Sequence, residues 1–261
     1  MLASTRRREI LHRLLADGYV EARELANRMG VDTSTIRRDL DALARAGQVQ
    51  RTHGGARPAP GVAGELPYAM KQTERRGEKT AIAAAAAALV RPGDTVILDS
   101  GSTTYEVAAA LRTHESLTVI TNDLRIAKFV ATVPDIRLLV TGGELLGSVY
   151  TLVGDRAEAF LADYAADWTF LGADAIHPAA GITNTNTLEV PIKRAMIAAA
   201  VSTIVVTDSS KFGHHTLAKV AALDEITQII TDPQLPTGTA EQYGDQLTRT
   251  PYLIETESSA G

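Results

Sequence analysis

The chain of 261 residues contains no cysteine, so disulfide bridges, thiolate metal sites and cysteine nucleophiles are excluded. No apolar run approaches the roughly 20 residues that a membrane-spanning helix needs. The first ten residues, MLASTRRREI, also lack the apolar core of a secretory signal peptide. From these absences and the length we expect a cytoplasmic protein of about one to three domains, and no motif predicts a cofactor or a metal.

Lysine is missing from the first 58 residues, and charge is unevenly distributed along the chain. That segment has 11 Arg against 7 Asp and Glu, whereas residues 59–261 have 15 Lys and Arg against 24 Asp and Glu. The net charges are therefore +4 and −9, within a total of −5. A basic head on an acidic body indicates that only the head binds a polyanion such as nucleic acid.

Apolar residues at helical spacing predict three short helices in the head. The first is expected at about residues 5–16, with Thr5 as its cap. The second is expected from about Ala22 to Met29, and Gly30 is well placed to end it in a left-handed conformation. Asp32 is expected to cap the third, at residues 33–46.

Two short helices joined by a glycine-containing turn match helix-turn-helix geometry. The third helix would then lie in the DNA major groove with its first residues nearest the bases. Residues 48–52 indicate a strand and residues 53–55 a turn, which together predict a wing. The candidate DNA-binding residues are Thr33, Ser34, Thr35, Arg37 and Arg38 on the helix, and Arg51 and His53 on the wing.

The two adjacent arginines allow different roles. Arginine forms bidentate contacts with guanine or with phosphate. Arg37 and Arg38 lie about 100° apart around the helix, so we expect one to contact bases and the other a phosphate. The alternative is a solvated ion pair, such as Arg37 with Asp41 one turn later.

Residues 5 to 57 carry a specific resemblance. The segment IRRDLDALARAGQVQRTHGGA closely resembles the DNA-binding signature of the DeoR family of bacterial repressors. After it, RPAPGVAGELP is rich in proline and glycine, which indicates a linker. We therefore predict a winged helix-turn-helix domain at 1–57, a linker at 58–67, an α/β domain at 68–234 and a C-terminal tail at 235–261.

Strand-like apolar runs alternate with helical patterns in the second domain. The predicted strands are 95–98, 117–120, 137–140, 168–171, 203–206 and 228–230. Alternating strands and helices predict a mostly parallel sheet with helices on both faces.

Polar and glycine residues cluster where these strands end. Ligands of open α/β sheets bind at the carboxyl edge of the strands, so we expect the clusters to form one site. Backbone amides and hydroxyls at residues 100–104, opening a helix, suit a phosphate. The candidate effector-binding residues are Ser100, Gly101, Ser102, Thr103, Thr104, Asn122, Gly142, Gly143, Asp174, Glu189 and Lys211.

Each candidate also has a structural explanation. Residues 100–104 can be a capping turn without a ligand, Asp208 can cap another turn, and Lys211 can be solvated. The pair His214-His215 lacks the second cluster of ligands that a metal site needs, so we interpret it as part of a loop.

Residues 74–232 also resemble a known domain. They are similar to the DeoR-type effector domain, whose fold is similar to that of ribose-5-phosphate isomerase; the segments Gly172-Ala173-Asp174 and Asp208–Lys211 resemble motifs of such isomerases. The resemblance implies a phosphorylated sugar as effector, held by residues 100–104 with Asn122, Asp174, Glu189 and Lys211 nearby.

These features together favour a sugar-responsive transcriptional repressor rather than an enzyme. It would bind operator DNA as a homo-oligomer, a dimer or tetramer, and a sugar phosphate would shift it to a state that releases the operator. One alternative is a sugar-phosphate isomerase-like enzyme carrying a DNA-binding head, with Asp174, Glu189 and Lys211 as acid–base groups. Another is a constitutive DNA-binding protein without a ligand.

Overall fold

The computed structural model describes residues 2–58, 72, 74–146 and 149–251. It divides into two compact units, Met1–Glu74 with Leu146–Val149 and Arg75–Leu145 with Tyr150–Gly261. Most of the predicted linker at 58–67 and the last ten residues of the predicted tail lie outside the described residues. Within the described part, no helix is both long enough and apolar enough to cross a membrane.

Over residues 2–58, the N-terminal unit consists of three helices and a small antiparallel sheet. Its elements there are α1 (Ala3–Asp17), β1 (Val20–Glu21), α2 (Ala22–Met29), α3 (Thr33–Arg45), β2 (Val49–Arg51) and β3 (Gly55–Pro58). The sheet has the order β1-β3-β2, so β2 and β3 form the predicted wing. Ile10, Leu25, Ile36 and Leu40 are among the apolar side chains of its core.

The turn between α2 and α3 follows from its residues. Gly30 takes the left-handed conformation, with φ of 62°, which glycine adopts without steric cost. Asp32 caps α3 by accepting a hydrogen bond from the Ser34 amide at 2.7 Å. The prediction that Thr5 caps α1 was wrong. The helix begins at Ala3, so the cap position belongs to Leu2, whose side chain makes no capping hydrogen bond.

The C-terminal unit alternates strands and helices. Its helices are α4 (Arg76–Ala87), α5 (Ser102–Ala110), α6 (Leu124–Val130), α7 (Asp155–Ala162), α8 (Val190–Ala198) and α9 (Thr237–Ala240). The strands of its main sheet are β4 (Thr95–Leu98), β5 (Leu117–Thr121), β6 (Ile136–Val140), β9 (Ala166–Leu171), β12 (Ala200–Val206), β14 (Gln228–Thr231) and β15 (Leu247–Arg249).

The main sheet is parallel throughout, in the order β15-β14-β12-β9-β4-β5-β6. This arrangement confirms the predicted α/β class with a mostly parallel sheet. The strands after β4 are added on one side of it and those from β9 onward on the other. The direction of winding therefore changes between β4 and β9, and such a switch point leaves a crevice at the carboxyl ends of the two strands.

Several elements were not among the predicted ones. A second sheet of the C-terminal unit has the order β10-β11-β13, formed by Ala175–His177, Gly181–Asn184 and Ala218–Ala221. Strands β7 (Glu144–Leu146) and β8 (Thr151–Val153) pair with each other. The segment predicted as a tail contributes α9 and the edge strand β15.

Candidate functional site

The first two turns of α3 present polar side chains to solvent. Ser34, Arg37 and Arg38 are exposed, Thr33 and Thr35 are half-buried, and Ile36 and Leu40 on the opposite face are fully buried. The helix is therefore held by its apolar face, while its predicted DNA-contacting residues remain accessible.

The wing is tied to α3 by an ion pair that the sequence patterns did not predict. Asp41 accepts from Arg51 Nε at 2.9 Å, and the same guanidinium donates to the Gly55 carbonyl at 2.5 Å. Arg37 makes no ion pair with the described residues, so the expected alternative, Arg37 with Asp41, does not form. Arg51 has a structural role in the head, whereas Arg37 is available to a ligand.

A buried carboxylate joins α1 to α3. Asp39 accepts from Arg6 Nε at 2.5 Å and from Arg7 Nε at 2.9 Å, and its side chain is almost fully buried. Because breaking a buried pair leaves an uncompensated charge, this contact fixes the orientation of α3 on α1.

In the C-terminal unit, a buried ion pair lies at the switch point of the main sheet. Asp99 directly follows β4, and its carboxylate accepts from the amide of Gly172, which directly follows β9, at 2.9 Å. Lys193 of α8 donates to the same carboxylate and, at 3.0 Å, to the Gly172 carbonyl. The pair therefore connects the ends of the two strands at which the winding changes.

Lys193 is a buried cation whose pKa is shifted by its surroundings. Burial alone opposes its charged form, but the nearby carboxylates of Asp99, Glu189 and Asp174 outweigh that effect and raise its pKa above the ordinary value. Glu189 accepts from Asn184 Nδ2 at 2.9 Å, and Asp174 accepts from the Thr185 amide at 2.9 Å. The structure thus brings two predicted residues, Asp174 and Glu189, into one electrostatic cluster around a lysine.

Neither Asp99 nor Lys193 was among the predicted site residues. Asp99 directly precedes the predicted Ser100–Thr104 loop and shares its position at the end of β4. Lys193 falls within EVPIKRAMI, an otherwise largely apolar helical segment. Its position among the apolar residues of a predicted helix is the signal that could have pointed to it, but that pattern alone does not show burial, because lysine is almost never fully buried unless paired.

The predicted phosphate loop does open a helix. Ser102, Thr103 and Thr104 form the first turn of α5 and are buried, and Thr104 Oγ1 donates to the Gly101 carbonyl at 3.0 Å. Ser100 Oγ donates to Asp123 at 3.0 Å and accepts from Thr151 Oγ1 at 2.6 Å. The hydroxyl of Ser100 is therefore used to join β4 to its neighbours.

The end of β5 contributes Asn122 and Asp123, both fully buried. Asn122 Nδ2 donates to the Leu152 carbonyl at 3.2 Å, but its Oδ1 has no hydrogen-bond partner among the described residues. Asp123 caps α6 and pairs with Arg125 at 2.6 Å. Buried polar atoms normally form hydrogen bonds. The Asn122 oxygen can therefore accept a hydrogen bond from a ligand at this edge of the sheet.

The two glycines after β6 differ in their surroundings. Both have left-handed backbones, with φ of 70° at Gly142 and 107° at Gly143. A Cβ at Gly143 would lie 2.5 Å from the Val153 carbonyl oxygen, whereas a Cβ at Gly142 would meet open space. Gly143 is therefore explained by close packing against β8 and α7.

Lys211 lies at the carboxyl edge of the main sheet but away from the end of β4. It ends the 3-10 helix Ser209–Lys211 after β12, which Asp208 caps by accepting from the Ser210 amide at 3.0 Å. In the sheet order, β12 is two strands from β4, a separation of about 10 Å. Asp208 also lies 3.6 Å from Arg75 Nε, a residue that was not predicted.

Metal ligands do not gather in the described part of the chain, where no three His, Asp or Glu side chains are arranged around a common ion position. The ring of His215 packs edge-on against His177, with centroids 6.3 Å apart.

Comparisons with known families match both units. The model of the DeoR-like helix-turn-helix domain matches residues 6–59, and that of the DeoR C terminal sensor domain matches residues 74–233.

Curated relatives match over most of their length. A protein of Escherichia coli O157:H7, provisionally named aga operon transcriptional repressor, is 38% identical over 91% of this chain and 89% of its own. The transcriptional regulator GlpR of Haloferax volcanii is 33% identical over 93% and 94%, respectively. The glycerol-3-phosphate regulon repressor of Escherichia coli K12 is 29% identical over 94% and 97%.

Solved structures match only part of the chain. Ribose 5-phosphate isomerase A of Methanocaldococcus jannaschii is 17% identical with a TM-score of 0.39, covering 54% of this chain and 56% of that one.

Proposed function

The chain belongs to the DeoR family of transcriptional regulators, and we propose that it represses genes of sugar metabolism or uptake and leaves its operator when a phosphorylated sugar binds. The relatives are named as regulators and not as enzymes, which favours this function over a sugar-phosphate isomerase carrying a DNA-binding head. The name of one relative, the glycerol-3-phosphate regulon repressor, supports a phosphorylated effector.

The switch point between β4 and β9, where polar groups at the ends of both strands meet, is the observation that carries the effector half of the proposal. Lys193 supplies a buried cation with three carboxylates around it, and Asn122 supplies an unpartnered acceptor. Carboxylates and amides suit sugar hydroxyls, and the amides and hydroxyls that open α5 suit a phosphate. The proposed effector-binding residues remain Ser100–Thr104, Asn122, Gly142, Gly143, Asp174, Glu189 and Lys211, now with Asp99 and Lys193.

The exposed start of α3 carries the DNA-binding half. Thr33–Thr35 with Arg37 and Arg38 would enter the major groove, and Arg51 and His53 would bring the wing to the backbone or the minor groove. We further propose a cytoplasmic homo-oligomer, a dimer or tetramer, because two heads on one assembly bind two half-sites.

The effector half is tested by thermal unfolding of the full chain with phosphorylated and unphosphorylated forms of fructose, galactose, glycerol and deoxyribose. A ligand that binds only the native state raises the unfolding temperature by mass action. We expect one phosphorylated compound to stabilise the protein and its unphosphorylated form to have no effect.

Variants then locate the effector. The shift should be lost in Thr103→Ala and Lys211→Ala and kept in Lys219→Ala, because Lys219 is exposed on β13. A shift that survives both substitutions in the proposed site would place the ligand elsewhere, and a folded protein that responds to no sugar phosphate would argue against this class of effector.

A further inference from the structure

Arg75 occupies an unusual position in the chain. It is the first residue of the C-terminal unit and the residue before α4. Its backbone is left-handed, with φ of 49° and ψ of 41°, although a non-glycine side chain disfavours that conformation. Such residues persist only when the surrounding contacts hold them in place.

The side chain of Arg75 supplies those contacts, and they lead to the proposed effector edge. Its Nε lies 3.6 Å from Asp208 Oδ1, and its Nη1 donates to Ser209 Oγ at 3.1 Å. We call this pair of interactions the Arg75 contact. It joins the start of α4 to the loop Asp208–Lys211, more than 130 residues later in the chain.

The loop itself is firmly anchored to the sheet. The Ser209 amide donates to Asp232 Oδ2 at 2.6 Å, and Asp232 is fully buried after β14. Asp208 is nearly buried and its Oδ1 accepts from both the amide and the hydroxyl of Ser210. One carboxylate oxygen therefore serves Arg75 and the turn that carries Lys211.

We propose that Arg75 is a coupling residue that transmits the state of the Asp208–Lys211 loop to the point where the chain enters the C-terminal unit. This inference rests on the proposed function, in which Lys211 binds the effector. A phosphate beside Lys211 competes with Asp208 for the Arg75 guanidinium, because arginine pairs readily with phosphate. Once Asp208 is lost as a partner, the left-handed backbone is no longer held and the chain before Arg75 changes direction.

Hydrogen exchange of the full chain tests the coupling without a ligand. Arg75→Gln removes the contact from one side and Asp208→Asn weakens it from the other. Each should speed exchange of the amides of residues 79–82, which are the first to be hydrogen-bonded within α4, roughly 5-fold or more, as expected for local opening. The double variant should exchange no faster than the single variants, because both changes remove one interaction.

Arg76→Gln is the matched control. Arg76 is the next residue, is mostly exposed and faces Glu106 at 3.7 Å instead of the loop, so its exchange should equal that of the wild type. If Arg75→Gln does not fold, Asp208→Asn decides the exchange test, because it removes the charge from the same contact, and unchanged exchange there would overturn the proposal. Unchanged exchange in the Arg75 variant, or additive effects in the double variant, overturns the proposal.

A DNA-binding measurement distinguishes a coupling role of the Arg75 contact from a purely structural one. The DNA is a sequence that the wild-type protein selects from a random library. Arg75→Gln and Asp208→Asn should change the affinity in the same direction and by a similar factor of roughly 5 or more, and Arg76→Gln should not. If hydrogen exchange is faster in the variants but their affinity for DNA is unchanged, the Arg75 contact has only a structural role, and the proposal is overturned. If the wild type selects no DNA, the proposed function fails, and the exchange measurements still decide whether Arg75 and Asp208 act together.

Discussion

Lys193 combines two properties that are costly to keep together, a positive charge and complete burial. Asp99 offsets that cost by direct pairing, and Glu189 and Asp174 add to the favourable field. Removing one partner of such a pair leaves the other charge buried without compensation. Lys193 and Asp99 should therefore matter for stability as well as for any ligand at this edge.

We expect Lys193→Met to lower the free energy of unfolding of the C-terminal unit by about 3 to 5 kcal/mol. The folded protein raises the pKa of Lys193, so the stability from the pair is fully present below the unfolded pKa and is lost only as pH rises through the higher folded pKa. Burial also raises the pKa of Asp99, so ionising this carboxylate without Lys193 costs more as pH rises. The loss should therefore not shrink between pH 7 and pH 9. Urea unfolding, followed by the fluorescence of Trp168, measures this loss of stability. Trp168 is the single tryptophan and lies in β9 of the main sheet.

Lys219→Met is the control, since Lys219 is exposed and its loss should change stability little. A difference between wild type and Lys193→Met that disappears between pH 7 and pH 9 would mean that Lys193 is not held protonated.

Gly143 provides a second test among single residues. Gly143→Ala combines a left-handed backbone, which costs about 1 to 2 kcal/mol, with a collision against the Val153 carbonyl. Gly142→Ala has only the first cost, because its Cβ would meet open space. The same fluorescence assay should find Gly143→Ala the less stable by about 1 to 3 kcal/mol; equal losses would mean that β8 and α7 do not crowd this position.

Individual residues show where sequence reasoning reached its limit. The polar residues after β4 and β5 were predictable, because strand ends are visible as the ends of apolar runs. The burial of Lys193 was not, since helical periodicity gives a face but not what the face meets. Arg75 was also missed, because its partner Asp208 is distant in sequence and only the folded sheet brings them together.

At the scale of elements, α3 is divided between two tasks. Its apolar face and the Asp39 contacts with Arg6 and Arg7 fix it in the head. Its second turn leaves Arg37 and Arg38 exposed. This division predicts that DNA binding and stability respond to different residues of the same helix.

We expect Arg37→Ala or Arg38→Ala to weaken binding to the selected DNA by about 1 to 3 kcal/mol while leaving the head folded. The arginine that contacts bases should also relax sequence preference, whereas the one that contacts phosphate should reduce the salt dependence. Fluorescence anisotropy at two salt concentrations distinguishes them. Arg45→Ala at the far end of α3 serves as the control, and an equal loss there would show that only general positive charge matters.

The predictability of a strand followed its run of bulky apolar residues. Strands β4, β5 and β9 contain such runs and were predicted close to their observed bounds. Strands β10, β11 and β13 are about as short as β4, but none contains three consecutive bulky apolar residues like Val96–Leu98, so the sequence does not distinguish them from loops. Strand β15 follows a segment without a strong pattern, and its place is set by pairing with β14, which only the assembled sheet provides.

Over the whole molecule, the sheet order explains why the candidate effector residues share one edge. Parallel strands direct all their carboxyl ends to the same side, and the winding changes between β4 and β9, the place where open sheets of this kind bind ligands. The positive charge of the head suits DNA, and the proposed effector-binding residues all lie in the C-terminal unit. Which sugar phosphate binds depends on side-chain positions that no sequence pattern specifies.

The most direct test of the proposed function is to measure the affinity of the full chain for its selected DNA as each sugar phosphate is added. We predict that the compound which stabilises the protein also weakens DNA binding roughly 5- to 150-fold, that its unphosphorylated form does not, and that Lys193→Met abolishes the response without preventing DNA binding. DNA affinity that stays constant while the same compound demonstrably occupies the protein would contradict release by a phosphorylated sugar.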